Sequence, residues 1–417
     1  MKKYFKIKKD MPDINPSVFR VFLPFAFGYF LSYLFRVVNA VIAPDLVADL
    51  NINPSQLGLL TSTYFIAFAS SQLPLGILLD KFGPRIVESF LLIFAGTGAF
   101  IFAKSQTLTG VIIGRAFIGF GVSACLMAAF KSYVIWFPEK LWPRINGFQM
   151  AAGGLGALSA TTPVEWLLNM TDWRGLFLLL AILSFFSALG IFFIVPEKKS
   201  QNNQDSFSLQ IKGIKQVFKS QYFWRIAPLT AMTQASFVAL IGLWAGPWLR
   251  DIEGMQRSEI AIVLFWAAVA LTVGYICLGF IAEKLAQRGI SILYTAVTGM
   301  SIFIGIQIFI VFQISIAPTF LWILFGFFGT SGILSYAALS SNFPRTLSGR
   351  VTTSINLLVF IAAFILQWLV GAIINLWEVS AAGNYHPSGY QAGFLTILGL
   401  QLAGLAWCLF PGLKKRK

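Results

Sequence analysis

The sequence predicts an all-α membrane protein with twelve transmembrane helices in two pseudo-symmetric six-helix bundles. Three observations lead to this fold class. Of the 417 residues, 57% are hydrophobic and only 11% are charged, which is too little polar surface for a water-soluble domain. Apolar runs of about 20 residues, long enough to cross a hydrocarbon core, recur along the chain. An internal repeat of roughly half the chain length relates the two halves.

The apolar runs set the order of the elements and the division of the chain. They predict an N-terminal bundle at 1–195, a cytoplasmic linker at 196–221 and a C-terminal bundle at 222–417. The linker is the longest polar stretch and carries several lysines, as expected for a segment that joins two bundles in water. Spans one to twelve are predicted near 21–43, 56–79, 86–103, 108–135, 146–168, 175–195, 223–248, 259–282, 290–313, 317–340, 351–377 and 391–410.

The net charge of +15 follows this topology and does not indicate a nucleic-acid partner. With both termini in the cytoplasm, 25 of the 31 Lys and Arg residues fall in cytoplasmic segments or at their borders. Such a bias sets the orientation of membrane proteins. The first apolar run is long and contains Arg36, unlike a cleaved signal peptide. We therefore expect a monomeric, lipid-embedded protein of a bacterial inner membrane with both termini cytoplasmic.

The clearest internal repeat is a ten-residue tract that ends an apolar run. Residues 76–85, Gly-Ile-Leu-Leu-Asp-Lys-Phe-Gly-Pro-Arg, recur in weaker form at 279–288 with an offset of 203. A second set of matches, beginning at Phe137 and Phe343, has an offset of 206. Two matches at nearly one offset indicate a duplicated unit that is half of the protein.

These tracts resemble sequence motifs of the major facilitator superfamily. Residues 76–85 resemble its signature between spans two and three, and 279–288 resemble the weaker copy between spans eight and nine. Residues 115–121 resemble the arginine-glycine motif of its fourth span. The resemblance implies the major facilitator fold and a secondary transporter, with spans one and four loosely similar to those of organic-anion symporters. It also implies that Asp80 contacts the start of span eleven and holds the cytoplasmic side shut.

The repeated tract is suited to a gate for physical reasons as well. Glycine permits a tight turn and close helix approach, and a carboxylate can face the positive N-terminal end of a helix. Ordinary loop charge is the alternative interpretation. The candidate gating residues are Gly76, Asp80, Lys81, Gly83, Arg85, Glu283, Arg288 and Arg350.

Arg36 in span one is the leading candidate for solute binding. Tyr29, Tyr33 and Arg36 are spaced to share one helix face. An arginine within a membrane is costly and needs a function or a partner, and its guanidinium can bind a carboxylate or phosphate through two hydrogen bonds. The alternatives are a structural pair with a neighbouring helix and a side chain that reaches the interface.

Polar residues of other spans extend the candidate cavity. Arg115 in span four either contacts the solute or hydrogen-bonds to helix ends. Each uncharged residue of this set could instead bond a neighbouring helix. The further binding candidates are Gln72, Gln149, Gln234, Trp244, Tyr336, Asn356 and Gln367.

Missing residue types narrow the chemistry. No acid is placed securely at mid-membrane, and Glu88 is expected toward the inner face. Organic-anion symporters often carry an acid beside the span-one arginine, whereas Arg36 is flanked by Phe35 and Val37, which leaves proton coupling open. His386 is the only histidine, and no catalytic or metal-binding motif accompanies it. We expect neither an enzyme nor a cofactor or metal.

The sequence thus favours a secondary active transporter that moves a small solute by alternating access. Two fixed positive charges with few countercharges favour an anionic or zwitterionic solute, such as a carboxylate, a phosphorylated metabolite or an amino acid. A proton is the candidate coupling ion. Two alternatives stay open: an exporter of amphiphilic compounds or drugs, and a solute receptor that uses the same fold without transport.

Overall fold

The computed structural model describes residues 16–138, 141–197, 207–314, 317–344, 347–380 and 383–410. Within these ranges the regular structure is helical, with no strand. The basic segments before residue 16, at 198–206 and after residue 410, which carry much of the predicted orientation, lie outside the described residues. The helices are α1 (Pro16–Val37), α2 (Asn39–Leu50), α3 (Pro54–Lys104), α4 (Leu108–Gly121), α5 (Cys125–Trp136), α6 (Trp142–Ser159), α7 (Thr162–Leu168), α8 (Trp173–Ile194), α9 (Phe207–Phe218), α10 (Gln221–Ala239), α11 (Ala245–Asp251), α12 (Arg257–Gln287), α13 (Ile292–Val311), α14 (Pro318–Gly329), α15 (Ile333–Ser341), α16 (Ser348–Ile374) and α17 (Pro387–Leu409).

In the described part of the chain, nine helices are long and apolar enough to cross a membrane, or ten when the bent pair α1 and α2 is one span. The first part of α3 corresponds to predicted span two, and α6 with α7 to span five. Helix α6 alone has 18 residues and ends at a break before α7, so neither piece forms a long apolar helix. The twelve-helix arrangement is consistent with these elements.

The connection between spans two and three is tighter than a loop. Helical structure continues through the repeated tract, and Gly83 alone departs from helical dihedral angles, with φ of 79°. This left-handed conformation costs glycine little because it has no Cβ atom. Pro84 then starts the next helical segment, where its missing N–H is no loss. One glycine is therefore enough to redirect the chain between the two spans.

Helix interruptions repeat between the halves, as the sequence does. Spans one and seven are both interrupted: α1 and α2 bend by 49° around Val38, and a π-helical turn covers Leu240–Trp244. Spans four and ten are interrupted as well, at residues 122–124 and by the 3-10 turn Thr330–Gly332. Interrupted helices in transporters expose backbone and side chains toward a central site, so these breaks mark where a cavity is expected.

A closed hydrogen-bond network ties spans seven, nine and twelve together. Ser236 Oγ donates to Gln307 Oε1 at 2.9 Å, and the Gln307 amide donates to Gln401 Oε1 at 3.0 Å. Gln401 Nε2 completes the ring by donating to Ser236 Oγ at 3.1 Å. All three residues are buried. Because buried polar groups need partners and these satisfy one another, the network is a structural part of the C-terminal bundle.

The two bundles meet along α3 and α16. The rings of Phe68 in α3 and Phe360 in α16 pack at an interplanar angle of 37° with their centroids 4.2 Å apart. Nearer the end of α16, a Cβ atom added at Gly58 would lie 3.0 Å from the Gln367 carbonyl oxygen, so the helix backbones are close there. Beside the Phe68–Phe360 pair, the contact between α3 and α16 leaves a space between the bundles. This space is the candidate site.

Candidate functional site: a central cavity

A cavity of about 560 Å³ lies between the two bundles. Spans one, two, four and five line one wall, and spans seven, eight, ten and eleven line the other. A volume of this size is typical of small-molecule sites. Most of the lining is apolar or aromatic, and Arg36 is its only charged side chain among the described residues. The cavity can therefore hold a small solute around one positive charge.

Arg36 occupies the last turn of α1, at the bend of span one. Its guanidinium carbon lies 4.6 Å from the ring centroid of Tyr33, 5.3 Å from that of Phe360 and 5.6 Å from that of Phe68. The Nε atom is buried without a hydrogen-bond partner. Among the described residues, no carboxylate forms an ion pair with this guanidinium. Its capacity to bind an anion is therefore available to a solute.

Hydrogen bonds cross the cavity from one bundle to the other. The hydroxyl groups of Tyr33 and Tyr275 are 3.3 Å apart. Asn356 Nδ2 also crosses the cavity and donates to Gln72 Oε1 at 3.2 Å, while within the C-terminal bundle the Tyr336 hydroxyl donates to Asn356 Oδ1 at 3.4 Å. These distances are long for hydrogen bonds of their kinds. A solute that enters between the walls can replace such weak contacts with its own.

Seven of the eleven predicted binding residues line this cavity, among them the three residues of the helix face inferred for span one. They are joined by residues that the predicted set omitted, chiefly Tyr275, Phe68, Thr352 and Phe360. Helical spacing indicates three of them, because Phe68 lies one turn from Gln72, and Thr352 and Phe360 each lie one turn from Asn356. The seven lining residues are Tyr29, Tyr33, Arg36, Gln72, Gln234, Tyr336 and Asn356.

Arg115 and Gln149 do not line the cavity, which differs from the prediction. The Arg115 guanidinium donates to the Phe35 carbonyl oxygen at 2.8 Å and lies over the Tyr64 ring. The Gln149 amide donates to the Phe25 carbonyl oxygen at 3.2 Å. Both side chains are buried between helices, so they bind backbone atoms of span one and support the wall from behind.

Trp244 and Gln367 also lie away from the cavity. The Trp244 indole Nε1 donates to the Gln367 carbonyl oxygen at 3.0 Å. Both side chains are buried, in the contact between spans seven and eleven. The π-helical turn that ends at Trp244 changes the direction of its side chain relative to a regular helix. Their contacts are therefore structural, and the binding role predicted for them has no support from the geometry.

Sequence comparison places this architecture in a known family. A family model described as the Major Facilitator Superfamily matches residues 25–367, which covers most of the chain and both walls of the cavity. The chain belongs to the major facilitator superfamily.

Two relatives and one solved structure illustrate what this major facilitator chain resembles. It is 24% identical over 277 residues to the hexuronate transporter of Escherichia coli K12, which covers 63% of this chain and 64% of that protein. It is 25% identical over 318 residues to the cis,cis-muconate transport protein of Acinetobacter baylyi, which covers 72% and 74%. The chain thus spans less than two thirds of the hexuronate relative.

The solved structure is that of a bacterial homologue of the human lysosomal transporter Spinster, in an inward-facing and unoccupied conformation. It matches this chain with a TM-score of 0.75 at 15% identity, over 94% of this chain and 96% of that chain. At this identity the similarity shows a shared fold.

The superfamily signature is packed mainly against its own bundle. Asp80 forms an ion pair with Lys131 of α5, and Arg85 lies 3.8 Å from Glu197 at the end of span six. Lys81 lies over the ring of its neighbour Phe82. The pairing of Asp80 with span four was absent from the sequence analysis, because the signature indicates only the loop.

The remaining candidate gating residues lie near the same side of the membrane. Gly76 is in α3 before the Gly83 turn, and Arg288 caps the end of α12. Glu283 accepts a hydrogen bond from Gln287 at 3.4 Å. Arg350, near the start of α16, packs directly against Gly213 of the linker helix α9. Their part in gating remains a prediction.

Neutralising Asp80 tests the predicted gate. In Asp80→Asn, loss of the charge weakens the attraction to the start of span eleven that the resemblance implies, so we expect a shift toward inward opening. The Asp80 carboxylate is partly exposed, so the expected shift is about 1 kcal/mol, or roughly fivefold in the conformer ratio. Labelling of engineered cysteines on both sides of the membrane measures that ratio. Lys104→Gln at the opposite end of α3 is the control, and equal labelling in Asp80→Asn would reject the gate.

The side opposite the signature tract, called here the outer side, is closed by contacts between the bundles. Arg257 of α12 forms two hydrogen bonds with the Asp45 carboxylate of α2, at 3.1 and 2.6 Å. Gly246 of α11 packs directly on the carbonyl oxygen of Ala40 in α2. Thr162 Oγ1 donates to the Ala261 carbonyl oxygen at 3.4 Å. The cavity is thus separated from the outer side by a layer of direct contacts.

A buried cluster holds the last outer loop to span seven. The Tyr390 hydroxyl donates to Asp251 Oδ2 at 2.6 Å, and the Tyr385 backbone N–H donates to the same oxygen at 3.1 Å. Arg250 pairs with the Asp251 carboxylate at 2.6 Å. Burial raises the pKa of Tyr385 to about 12, so its hydroxyl stays neutral at physiological pH. These donors satisfy the Asp251 carboxylate, whereas the buried Tyr385 hydroxyl finds no hydrogen-bond partner among the described residues.

Proposed function

We propose that the protein is a secondary transporter that moves a small organic anion across the membrane by alternating access. The observation that carries the proposal is Arg36, a guanidinium in a closed-end cavity between two bundles with no carboxylate partner among the described residues. A partly buried arginine within a span that lacks a countercharge favours a ligand that supplies one. The cavity position between the repeats is also where carriers of this architecture bind solute.

The lining supports a hydroxylated or unsaturated carboxylate as the solute. Arg36 would bind the carboxylate of the solute, and the phenols of Tyr33 and Tyr275 would hydrogen-bond to its hydroxyl groups. Gln72 and Asn356 would hydrogen-bond to solute oxygens farther from Arg36. Aromatic rings beside Arg36 suit planar or ring-shaped groups. The names of the similar proteins, a hexuronate transporter and a cis,cis-muconate transport protein, support the same class.

The contacts support a state in which the cavity faces the cytoplasm. The outer side is closed through Asp45 and Arg257, whereas the lining extends to Phe130 and Thr352, toward the signature side. With both termini cytoplasmic in a bacterial inner membrane, the signature side is the inner one. A monomer suffices for this cycle, because the cavity is formed by one chain, and a proton is the proposed coupling ion.

A thermal-shift screen of the purified protein tests the solute class. Because ligand binding stabilises the folded state, a solute at 100 times its Kd should add about 2.7 kcal/mol to the free energy of unfolding. Hexuronates, cis,cis-muconate, amino acids, neutral sugars and phosphorylated sugars form the panel. Stabilisation by carboxylates and not by neutral sugars of equal size is expected. Stabilisation by neutral sugars alone would reject an anion carrier.

Counterflow in proteoliposomes then separates transport from binding. Vesicles preloaded with the stabilising carboxylate should take up the radiolabelled compound faster than empty vesicles. Binding without such exchange would instead support a solute receptor on the same fold.

One observation favours a second candidate, an exporter of amphiphilic compounds. Aromatic side chains, among them Phe130 and Phe237, form much of the lining and would accept an apolar body as readily as a sugar acid. Stabilisation by lipophilic cations or neutral drugs in the same screen, with none by carboxylates, would favour this candidate.

A further inference from the structure

Glu88 is a fully buried acid that takes no part in the cavity. It lies in α3 one helical turn after Arg85, with 0% of its surface exposed. Neither carboxylate oxygen receives a hydrogen bond from a nitrogen or oxygen donor. Arg85, the nearest basic residue along the helix, is directed toward Glu197 instead. A carboxyl group so placed is rare in a membrane protein and needs a reason.

The groups that face Glu88 come from three helices. From α1, Gly28 packs directly against the carboxylate. From α5, the Cys125 thiol faces it as a weak donor, and the buried Tyr133 hydroxyl interacts with it at longer range. From α8, Ile191 lies beside Gly28 and is apolar. No basic side chain is among these neighbours, so a charge on Glu88 would have no compensating ion.

The same contacts connect Glu88 to the cavity wall. Gly28 is followed by Tyr29, and Cys125 is followed by Leu126 and Met127, all three of which line the cavity. The Tyr133 hydroxyl donates to Gln149 Oε1 at 2.7 Å, behind the same wall. An uncompensated carboxylate seeks water or donors, which it can reach only if α1 and α5 move apart or shift against α3. The charge state of Glu88 is thereby linked to the packing of the wall that carries Arg36.

We propose that Glu88 is the proton-binding site that couples a proton gradient to anion movement. This inference rests on the function proposed above. A proton adds to one carboxylate oxygen of Glu88 when the site is open to the outer solution and leaves the same oxygen toward the cytoplasm. The carboxyl O–H bond forms as an O–H bond of a hydronium ion from the outer solution breaks, and on the cytoplasmic side the proton returns to water, which becomes hydronium. One proton moves with each anion bound at Arg36, so the coupled step carries no net charge for a monovalent hexuronate and one negative charge for the dianion cis,cis-muconate.

The test compares the wild type with Glu88→Gln in proteoliposomes, using radiolabelled hexuronate and cis,cis-muconate as probes. Glutamine keeps the shape of the side chain and cannot titrate. A one-unit inward proton gradient allows roughly tenfold accumulation at one proton per anion. The wild type should approach this value, whereas Glu88→Gln should equilibrate without accumulation yet keep counterflow exchange. Glu165→Gln in α7 makes the same chemical change outside this cluster and should behave as the wild type.

Each outcome decides the proposal. Gradient-driven accumulation by Glu88→Gln at the wild-type level overturns it, and so does a wild type that exchanges both probes but ignores the gradient. A wild type without exchange of either probe rejects the transport function itself. If Glu88→Gln folds but loses exchange, the pH dependence of probe affinity from thermal shifts is decisive. A flat profile in the variant against a sloped one in the wild type supports the proposal, and equal slopes overturn it.

Discussion

Arg36→Gln is expected to weaken binding of the carboxylate solute by about 100-fold and to abolish measurable uptake, while the purified protein stays folded. The guanidinium is the only charged group among the described residues of the cavity, and a charge-assisted pair in a desolvated site contributes roughly 3 kcal/mol. That energy corresponds to about two orders of magnitude in Kd. Affinity from thermal-shift titration and exchange in proteoliposomes are the measurements.

Arg115→Gln is the matched control, because it removes a second buried arginine of the same bundle. Its guanidinium binds the Phe35 carbonyl oxygen and lies outside the cavity. We expect a lower Tm with nearly unchanged solute affinity, the reverse of Arg36→Gln. Arg36→Lys should fall between, since it keeps the charge without the two-pronged geometry. Wild-type affinity in Arg36→Gln would remove Arg36 from the site.

Gly246→Val is expected to have the second largest effect, a shift of the conformational equilibrium toward outward opening. A side chain at this position would overlap the Ala40 carbonyl oxygen of the opposite bundle, so the outer side could not close as it does here. Overpacking of this kind costs about 1–3 kcal/mol, or up to roughly 100-fold in the ratio of the two states. Uptake should fall by a similar factor.

Labelling of a cysteine introduced at Ser123 in the cavity, in a background without native cysteines, reports the equilibrium. An impermeant thiol reagent added outside should react faster in Gly246→Val than in its parent. Gly305→Val is the control, because a Cβ atom at that helical glycine meets no atom within 4 Å. Unchanged outside labelling would show that the contact between Gly246 and Ala40 does not close the outer side.

The sequence was most informative where the helix period alone fixes the geometry. Tyr29, Tyr33 and Arg36 share a face at regular spacing, and that face lines the cavity. Gln149 and Gln234 are a contrasting pair, since both are intramembrane glutamines and only Gln234 lines the cavity. Which glutamine also faces the cavity depends on tertiary packing, which one sequence does not reveal.

Helix interruptions explain the other differences between prediction and structure. Arg115 finds the Phe35 carbonyl because α1 ends two residues later, where carbonyl groups lose their helical partners. Trp244 ends a π-helical turn, whose extra residue shifts the helix face that a regular period predicts. Glu88 was expected near the inner interface, and its complete burial depends on the small size of Gly28 across the helix contact. None of these features alters the hydropathy pattern of the sequence, so none of them could be predicted from that pattern.

The groups around Arg36 affect the step in which a transporter without bound solute returns to its starting conformation. The guanidinium lies over the Tyr33, Phe68 and Phe360 rings and in the last turn of a helix, where the backbone dipole favours a cation. These neutral groups stabilise the positive charge after the anion has left, so reorientation of the empty protein does not require a replacement anion. Under the proposed function, a site built this way permits net uptake and does not restrict the protein to one-for-one exchange.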